Sequence, residues 1–253
     1  MTNAQAGGTY LYAVLADTPG VDGWGPMGVE GGEVYCVTAG KLSAVVGRVS
    51  RARLRPERKH LLAHQAVLRR LMEHVTVLPT VFGLVAQNDE AVRALLLENE
   101  AAFQEQLARV AGKVEMRLKV SWSAPDLFEY FVEVHPELKA VRDQLKGRDG
   151  VGHEELIEVG KLFARIRDMD RQAHGERVAA VLEARGIELK WNPASGEREV
   201  VNLSCLVPRE LHGSFEQVVA AAAEGFDDHF TFEFNGPWAP HSFTELVLTS
   251  KAA

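Results

Sequence analysis

Cysteine is scarce: the 253 residues hold two, Cys36 and Cys205, far apart and in no C-x-x-C pair. That excludes a disulfide framework, and the two thiols read as small buried hydrophobes of a reducing compartment. Uninterrupted apolar runs are short, none near the ~18–20 residues of a membrane span, so no membrane partner is expected. Met1–Thr9 offers neither a basic n-region nor an apolar h-region. No secretory signal is expected there, and the cytoplasm is the expected location. Positive charge is also short, with 28 Lys and Arg against 35 Asp and Glu and a net charge of −7. Broad nucleic-acid binding needs a positive footprint and is not expected. No Gly-x-Ser-x-Gly elbow occurs, and neither cysteine has a nearby histidine in a nucleophile context.

The composition is that of an ordinary globular protein, 46% apolar and 25% charged. The length favours two domains. Tyr10–Ala16 is a strand by its β-branched and aromatic content. A glycine-rich loop from Gly20 to Gly32 follows, then strands at Glu33–Val37 and Leu42–Val49 around the turn at Gly40. Leu61, Gln65, Leu68, Met72 and Val75 repeat at helical spacing, which predicts a helix over 56–74 with Pro56 as its first residue. Val77–Val85 is short, apolar and broken by Pro79, as an edge strand or buried loop is. Asn88 and Asp89 cap one helix that carries Val92, Leu95, Leu96, Phe103, Leu107 and Val110 to Gly112. Val114–Trp122 alternates as a half-exposed strand does.

A proline and small residues at 121–126 mark the boundary between domains 1–122 and 123–253. The second half predicts helices at Asp126–Val134, Pro136–Lys146 and Glu154–Ala184, the last with a charged middle, Arg167–Arg177 including Gly175, that reads as a bend or as a crossing between domains. Strands at Ile187–Trp191 and Glu199–Val207, a helix at Arg209–Glu224 and a strand at His229–Phe234 complete it. Both domains are α+β. The first is a ferredoxin-like variant, with helices on one face of an antiparallel sheet. The second has long helices, a small antiparallel sheet and an aromatic and proline-rich tail.

Several patterns invite chemistry and fall short of it. Gly23-Trp-Gly-Pro-Met-Gly28 spells G-x-G-x-x-G, but Pro26 interrupts it and a strand follows where a pyrophosphate-binding helix is needed. His60 and His64 are four apart, and Glu57 with His60 makes one E-x-x-H. Zinc proteases need H-E-x-x-H, and di-iron bundles need two E-x-x-H units with further carboxylates. His64 reads as a packed core histidine. Glu129 with Glu133 and Glu154 with Glu158 share helical faces and read as solvated pairs. Arg48, Arg51, Arg53, Arg55, Arg58 and Lys59 form a basic run, read as a solvated connection or a grip for an acidic surface. Glu224–Asp228 is its acidic counterpart. No cofactor, metal or catalytic set is expected.

The tail is the most informative stretch. Phe230-Thr-Phe-Glu-Phe234 alternates as a strand, breaks at Asn235-Gly236-Pro237, then carries Trp238 and Phe243 across two prolines, Pro237 and Pro240. Burying a large apolar side chain is worth about 1.5–3 kcal/mol, so these aromatics dock on the body of the protein or are kept for a partner. Phe234, Asn235, Gly236, Pro237, Trp238 and Phe243 are the expected partner-binding or interdomain-clamp residues. Leu78, Pro79 and Phe82 are the expected edge-strand contacts.

Tyr10-Leu-Tyr-Ala-Val, His64-Gln-Ala-Val-Leu with Val77-Leu-Pro-Thr-Val-Phe-Gly83, and above all Phe234-Asn-Gly-Pro-Trp-Ala-Pro-His-Ser-Phe243 resemble the gas vesicle protein F/L family over nearly the whole chain. His241 stands where relatives often carry an aromatic. The resemblance implies an accessory or minor structural protein of gas vesicle formation, with a modified ferredoxin-type domain and a second α+β domain, no enzymatic activity and no cofactor. It implies the hydrophobic shell subunit and other accessory proteins as partners, at the vesicle. An assembly factor is the leading expectation. It would bind by strand addition at Val77–Val85 or at the strand before Asn235, or in an apolar groove between domains closed by Trp238 and Phe243, the route preferred from sequence. A permanent minor shell component and a small-molecule enzyme on the first sheet are the alternatives.

Overall fold

The computed structural model describes residues 7–16, 25–146, 148, 150 and 152–245. The described residues fold as two compact units, one drawn from 7–115 with 237–245, the other from 116–236. The sequence suggested one boundary, at 122/123. The units instead meet along the chain at two points, each inside a strand, and the closing segment returns to the first unit.

The first unit holds strands β1 (Gly8–Ala16), β2 (Val34–Ala39) and β3 (Leu42–Val49), helix α1 (Arg58–Met72), two-residue strands β4 (Leu78–Pro79) and β5 (Val85–Ala86), and helices α2 (Asp89–Glu98) and α3 (Glu100–Val110). The sheet order is β2-β3-β1-β4, with β5 also on β1. β1 runs antiparallel to β3, β4 and β5, and β2 antiparallel to β3. Between β1 and β2 the described residues hold a 3-10 turn at Val29–Gly31, not a crossover helix.

Helices lie on both faces of this sheet, not on one as expected. Along β1 a bulge at Tyr12 shifts the register between Leu11 and Ala13. An extra residue puts two neighbours on one side. Tyr10, Tyr12, Ala13 and Leu15 therefore face α1 and pack with Val67, Leu68, Leu71 and Met72. Leu11 and Val14 face the other way and pack with Val92, Leu96, Phe103 and Leu107 of α2 and α3. A central strand buried on both faces needs apolar residues at every position, and the Tyr-Leu-Tyr-Ala-Val-Leu run supplies them.

Three boundaries differ from expectation or match it for local reasons. Helix α1 starts at Arg58 with Glu57 at its N-cap, leaving Pro56 outside. The expected single helix after Asn88 is two, broken at Asn99 (φ −117°, ψ 18°), whose side-chain amide donates to Leu95 O at 2.9 Å. Such a local bond competes with the helical ladder. The N-terminal cap is as expected, with Asn88 Oδ1 accepting from Ala91 N at 2.9 Å.

The second unit takes in most of β6 (Lys113–Trp122), helices α4 (Leu127–Val134), α5 (Pro136–Leu145) and α6 (His153–Glu183), strands β7 (Glu188–Trp191) and β8 (Glu199–Pro208), helices α7 (Arg209–His212) and α8 (Phe215–Ala223), and most of β9 (Phe230–Trp238). The sheet order is β7-β8-β6-β9. Helix α6 runs through Gly175 as one helix. A Cβ at Gly175 would meet the Trp191 ring at 2.9 Å, so the glycine admits the ring. Trp122, Phe131 and Phe163 form an edge-to-face series, with centroids 5.2 and 5.4 Å apart.

Strand β9 continues through Asn235-Gly236-Pro237, where the sequence suggested a stop. Proline cannot donate to a ladder and is confined to edges, and β9 is an edge strand. No helix among the described residues is long and apolar enough to cross a membrane.

Candidate functional site

The tail residues divide into two environments. Phe234, Asn235 and Gly236 belong to the second unit, and Pro237, Trp238 and Phe243 to the first. On β9, Phe230 and Phe232 are half-buried against Phe226, at 4.9 and 5.2 Å between centroids. Phe234 touches Phe215 of α8 edge-on at 5.7 Å and stays 40% exposed. Asn235 and Gly236 are exposed, and Gly236 holds a φ of 136° that L residues avoid. Trp238 is 36% exposed, whereas Phe243 is 2% exposed.

Phe243 ends a 3-10 turn, His241–Phe243, seated on the first unit. Glu115, at the start of β6, is 6% exposed. Its two oxygens accept from Ser242, Oε1 from Oγ at 2.6 Å and Oε2 from the backbone N–H at 2.8 Å. Bonds to an ionised carboxylate are about twice as strong as neutral ones, and they offset the cost of burying this charge. Ala239 joins the core around Tyr10 and α1. Glu245 N donates to Gln106 Oε1 at 3.3 Å.

Beneath the turn lies a tyrosine–histidine cluster. Gly83 N donates to Tyr10 Oη at 3.2 Å, and Tyr10 Oη lies 2.9 Å from His64 Nδ1. We assign the Tyr10 hydroxyl as donor to His64 Nδ1, which leaves the ring proton on Nε2. Neither His64 Nε2 nor His241 Nε2 has a hydrogen-bond partner, and the two rings lie 6.4 Å apart. Burial, then the neighbouring His241, lowers the pKa of His64 to about 4. Burial also lowers His241, against the opposing pull of Glu115. Burial raises Tyr10 and Tyr12. Tyr12 Oη accepts from Val29 N at 2.7 Å.

The expected edge contacts fall at the edge of the first sheet but mostly face inward. Leu78 and Pro79 pair with Val14 and Ala13 and are buried. Phe82 is half-buried against the Tyr10 and His64 rings, each at 5.9 Å. The exposed side chain of this loop is Val81, at 72%.

The remaining sequence candidates are structural or solvated. Gly23 lies outside the described residues. Gly28 packs where a Cβ would meet Tyr12 Oη and Gly32 O, each at 2.8 Å, so it is a close-approach glycine. His60 lies 3.1 Å from Arg55 O through Nδ1. Among the described residues no group of three or more His, Cys, Asp or Glu could hold a metal. Glu129 pairs with Arg142 and Glu158 with Lys161. Arg48 pairs with Asp89 at 2.8 Å, while Arg51, Arg53, Arg55 and Arg58 are exposed. Glu199, which no sequence pattern singles out, is buried at the start of β8's apolar run. Burial pushes its pKa up, but bonds from Ser195 Oγ and N, Asn202 and Lys119 outweigh this and hold it low. The Glu115–Ser242 pair escapes sequence reasoning as well. Its members lie 127 positions apart, and Glu115 falls in phase with Arg117 and Lys119 on the charged face of the alternating strand, where nothing marks it.

A sequence model of the family described as "Gas vesicle synthesis protein GvpL/GvpF" matches residues 8–245. The chain is 28% identical to gas vesicle protein F of Streptomyces sp. (strain CB03234), over 94% of this chain and 99% of that protein. It is 29% identical to gas vesicle protein L of the same strain, over 94% of this chain and 93% of that one. Among solved structures it is similar to the crystal structure of the gas vesicle protein GvpF from Anabaena sp. PCC7120. That match has a TM-score of 0.85 and 25% identity, over 95% of this chain and 99% of that one.

Proposed function

The chain belongs to the gas vesicle synthesis protein GvpL/GvpF family and so has a role in gas vesicle formation, and we propose that it acts there as a non-enzymatic assembly factor that holds the hydrophobic shell subunit. Other accessory proteins are its further proposed partners, and the cytoplasm its proposed place of action. A shell subunit with an apolar gas-facing side aggregates if that side is exposed before assembly, and a partner that covers it lowers this risk.

The observation that carries this reading is β9. It is a nine-residue strand at the edge of its sheet, with Phe234 on it 40% exposed. Strand addition supplies main-chain hydrogen bonds along such an edge, and the aromatic supplies apolar contact. The sequence preferred a groove closed by Trp238 and Phe243. Phe243 is engaged within its own unit, which leaves Trp238 as a separate proposed contact. For the first unit we propose the finer description of a modified ferredoxin-like sheet, supported by its strand order β2-β3-β1-β4.

Co-expression with the shell subunit alone tests the proposal. The subunit is expected to stay in solution and co-purify with the wild-type chain, and to be lost with Phe234→Lys. Equal recovery of the subunit with both chains would contradict the proposed site.

A further inference from the structure

The closing segment binds the first unit as a ligand would. It arrives as a 3-10 turn, not as a strand of the first sheet. Its contacts come from four places: His64 of α1, Gln106 of α3, Glu115 of β6, and the cavity wall of Leu11, Pro79 and Phe103 that Thr244 also lines. The charged member of this site, Glu115, is buried and has both oxygens committed to Ser242. The segment is joined to the rest of the chain through Gly236 and Pro237, where the second unit ends and the first resumes. Gly236 has a positive φ and Pro237 a fixed one, and the connection between the units is the last part of strand β9, which runs through both residues to Trp238.

We propose that the first unit carries a peptide-binding site, centred on Glu115, for a segment of the pattern Ala-Pro-His-Ser-Phe folded as a 3-10 turn, and that this site takes the closing segment of a second copy of the chain in exchange for its own. A serine supplies the N–H and O–H that a buried carboxylate needs, and the following phenylalanine supplies apolar burial. The contacts of Ala239 and of the His241–Phe243 turn are reproduced when the segment comes from another chain, so exchange costs the interruption of β9 at Gly236–Pro237 and association itself. The cleft has a defined occupant because the segment's own sequence already fits it. This inference does not depend on the shell subunit.

Exchange makes a specific prediction for paired variants. In Glu115→Gln and in Ser242→Ala the clasp is damaged within each chain, and the self-exchanged dimer of either variant is damaged equally. A mixed dimer of the two regains one intact Glu115–Ser242 site and also holds one doubly altered site. Its excess over the homodimers therefore reads the coupling between the two residues. One variant, labelled with a heavy nitrogen isotope, is mixed with the other at high concentration, and native mass spectrometry counts the dimers. An excess of mixed dimer of about tenfold is expected for a charge-assisted hydrogen bond. Mixed and self dimers in statistical proportion would overturn the proposal. If Glu115→Gln fails to fold, a labelled peptide of residues 237–245 is titrated into the full-length Ser242→Ala chain. Binding about tenfold tighter than that of the same peptide carrying Ser242→Ala is expected, as for one charge-assisted hydrogen bond. Equal affinity of the two peptides would overturn the site.

Discussion

The two sheets manage their edges and faces in opposite ways. The first is packed on both faces, and its β4–β5 edge is reduced to two pairs of residues around an irregular loop. Short, interrupted edges offer little to an incoming strand. The second sheet ends in β9, nine residues long, with an exposed phenylalanine and a proline placed where only an edge tolerates one. Of the other edges, β2 spans six residues and β7 four, so the proposed strand addition uses the longest edge strand of the two sheets. The aromatic tail follows the same division: Phe243 is committed to the interior, and Phe234 is left at the surface.

The largest test of this contrast is Phe243→Ala. The side chain is 2% exposed, and its loss is expected to cost about 3–5 kcal/mol, read from urea unfolding. A loss below about 1 kcal/mol would erase the distinction between buried and displayed aromatics.

Acid should come next. His64 titrates at about 4 in the folded protein against 6.5 ordinarily, so the unfolded chain binds more protons between these values. Stability is therefore fully present above about pH 6.5 and falls toward pH 4, by up to about 3 kcal/mol from this group. His241, also lowered, adds in the same direction. His64→Gln should flatten the dependence in this window, and an unchanged slope would remove His64 from the account.

Ser242→Ala deletes the hydroxyl on Glu115 Oε1 and is expected to cost about 1–2 kcal/mol, read from the same unfolding curves. Phe234→Lys is expected to cost about 1 kcal/mol or less, because the side chain is 40% exposed, while abolishing retention of the shell subunit. A large drop in melting temperature would recast Phe234 as a packing residue.

Much of this was legible in the sequence. Strong periodicity located α1 and α6, Asn88 announced its cap, and alternation predicted β6. The Phe234–Phe243 pattern pointed to the family that the whole-chain match shows. What escaped depends on distant parts of the chain. The bulge at Tyr12 places helices on both faces, yet nothing in Tyr-Leu-Tyr-Ala marks the slipped residue. Glu115 reads as a solvated charge until Ser242 arrives from the far end of the chain. Whether Gly236-Pro237 ends a strand or continues it is decided by which strand lies at the edge, and that is a property of the sheet.

Hydrogen–deuterium exchange of the protein with and without the shell subunit tests the central claim most directly. The account predicts that amides within Phe230–Gly236 gain protection on adding the subunit, while those of Leu78–Ala86 do not change. Protection at Leu78–Ala86 with none along β9 would contradict it.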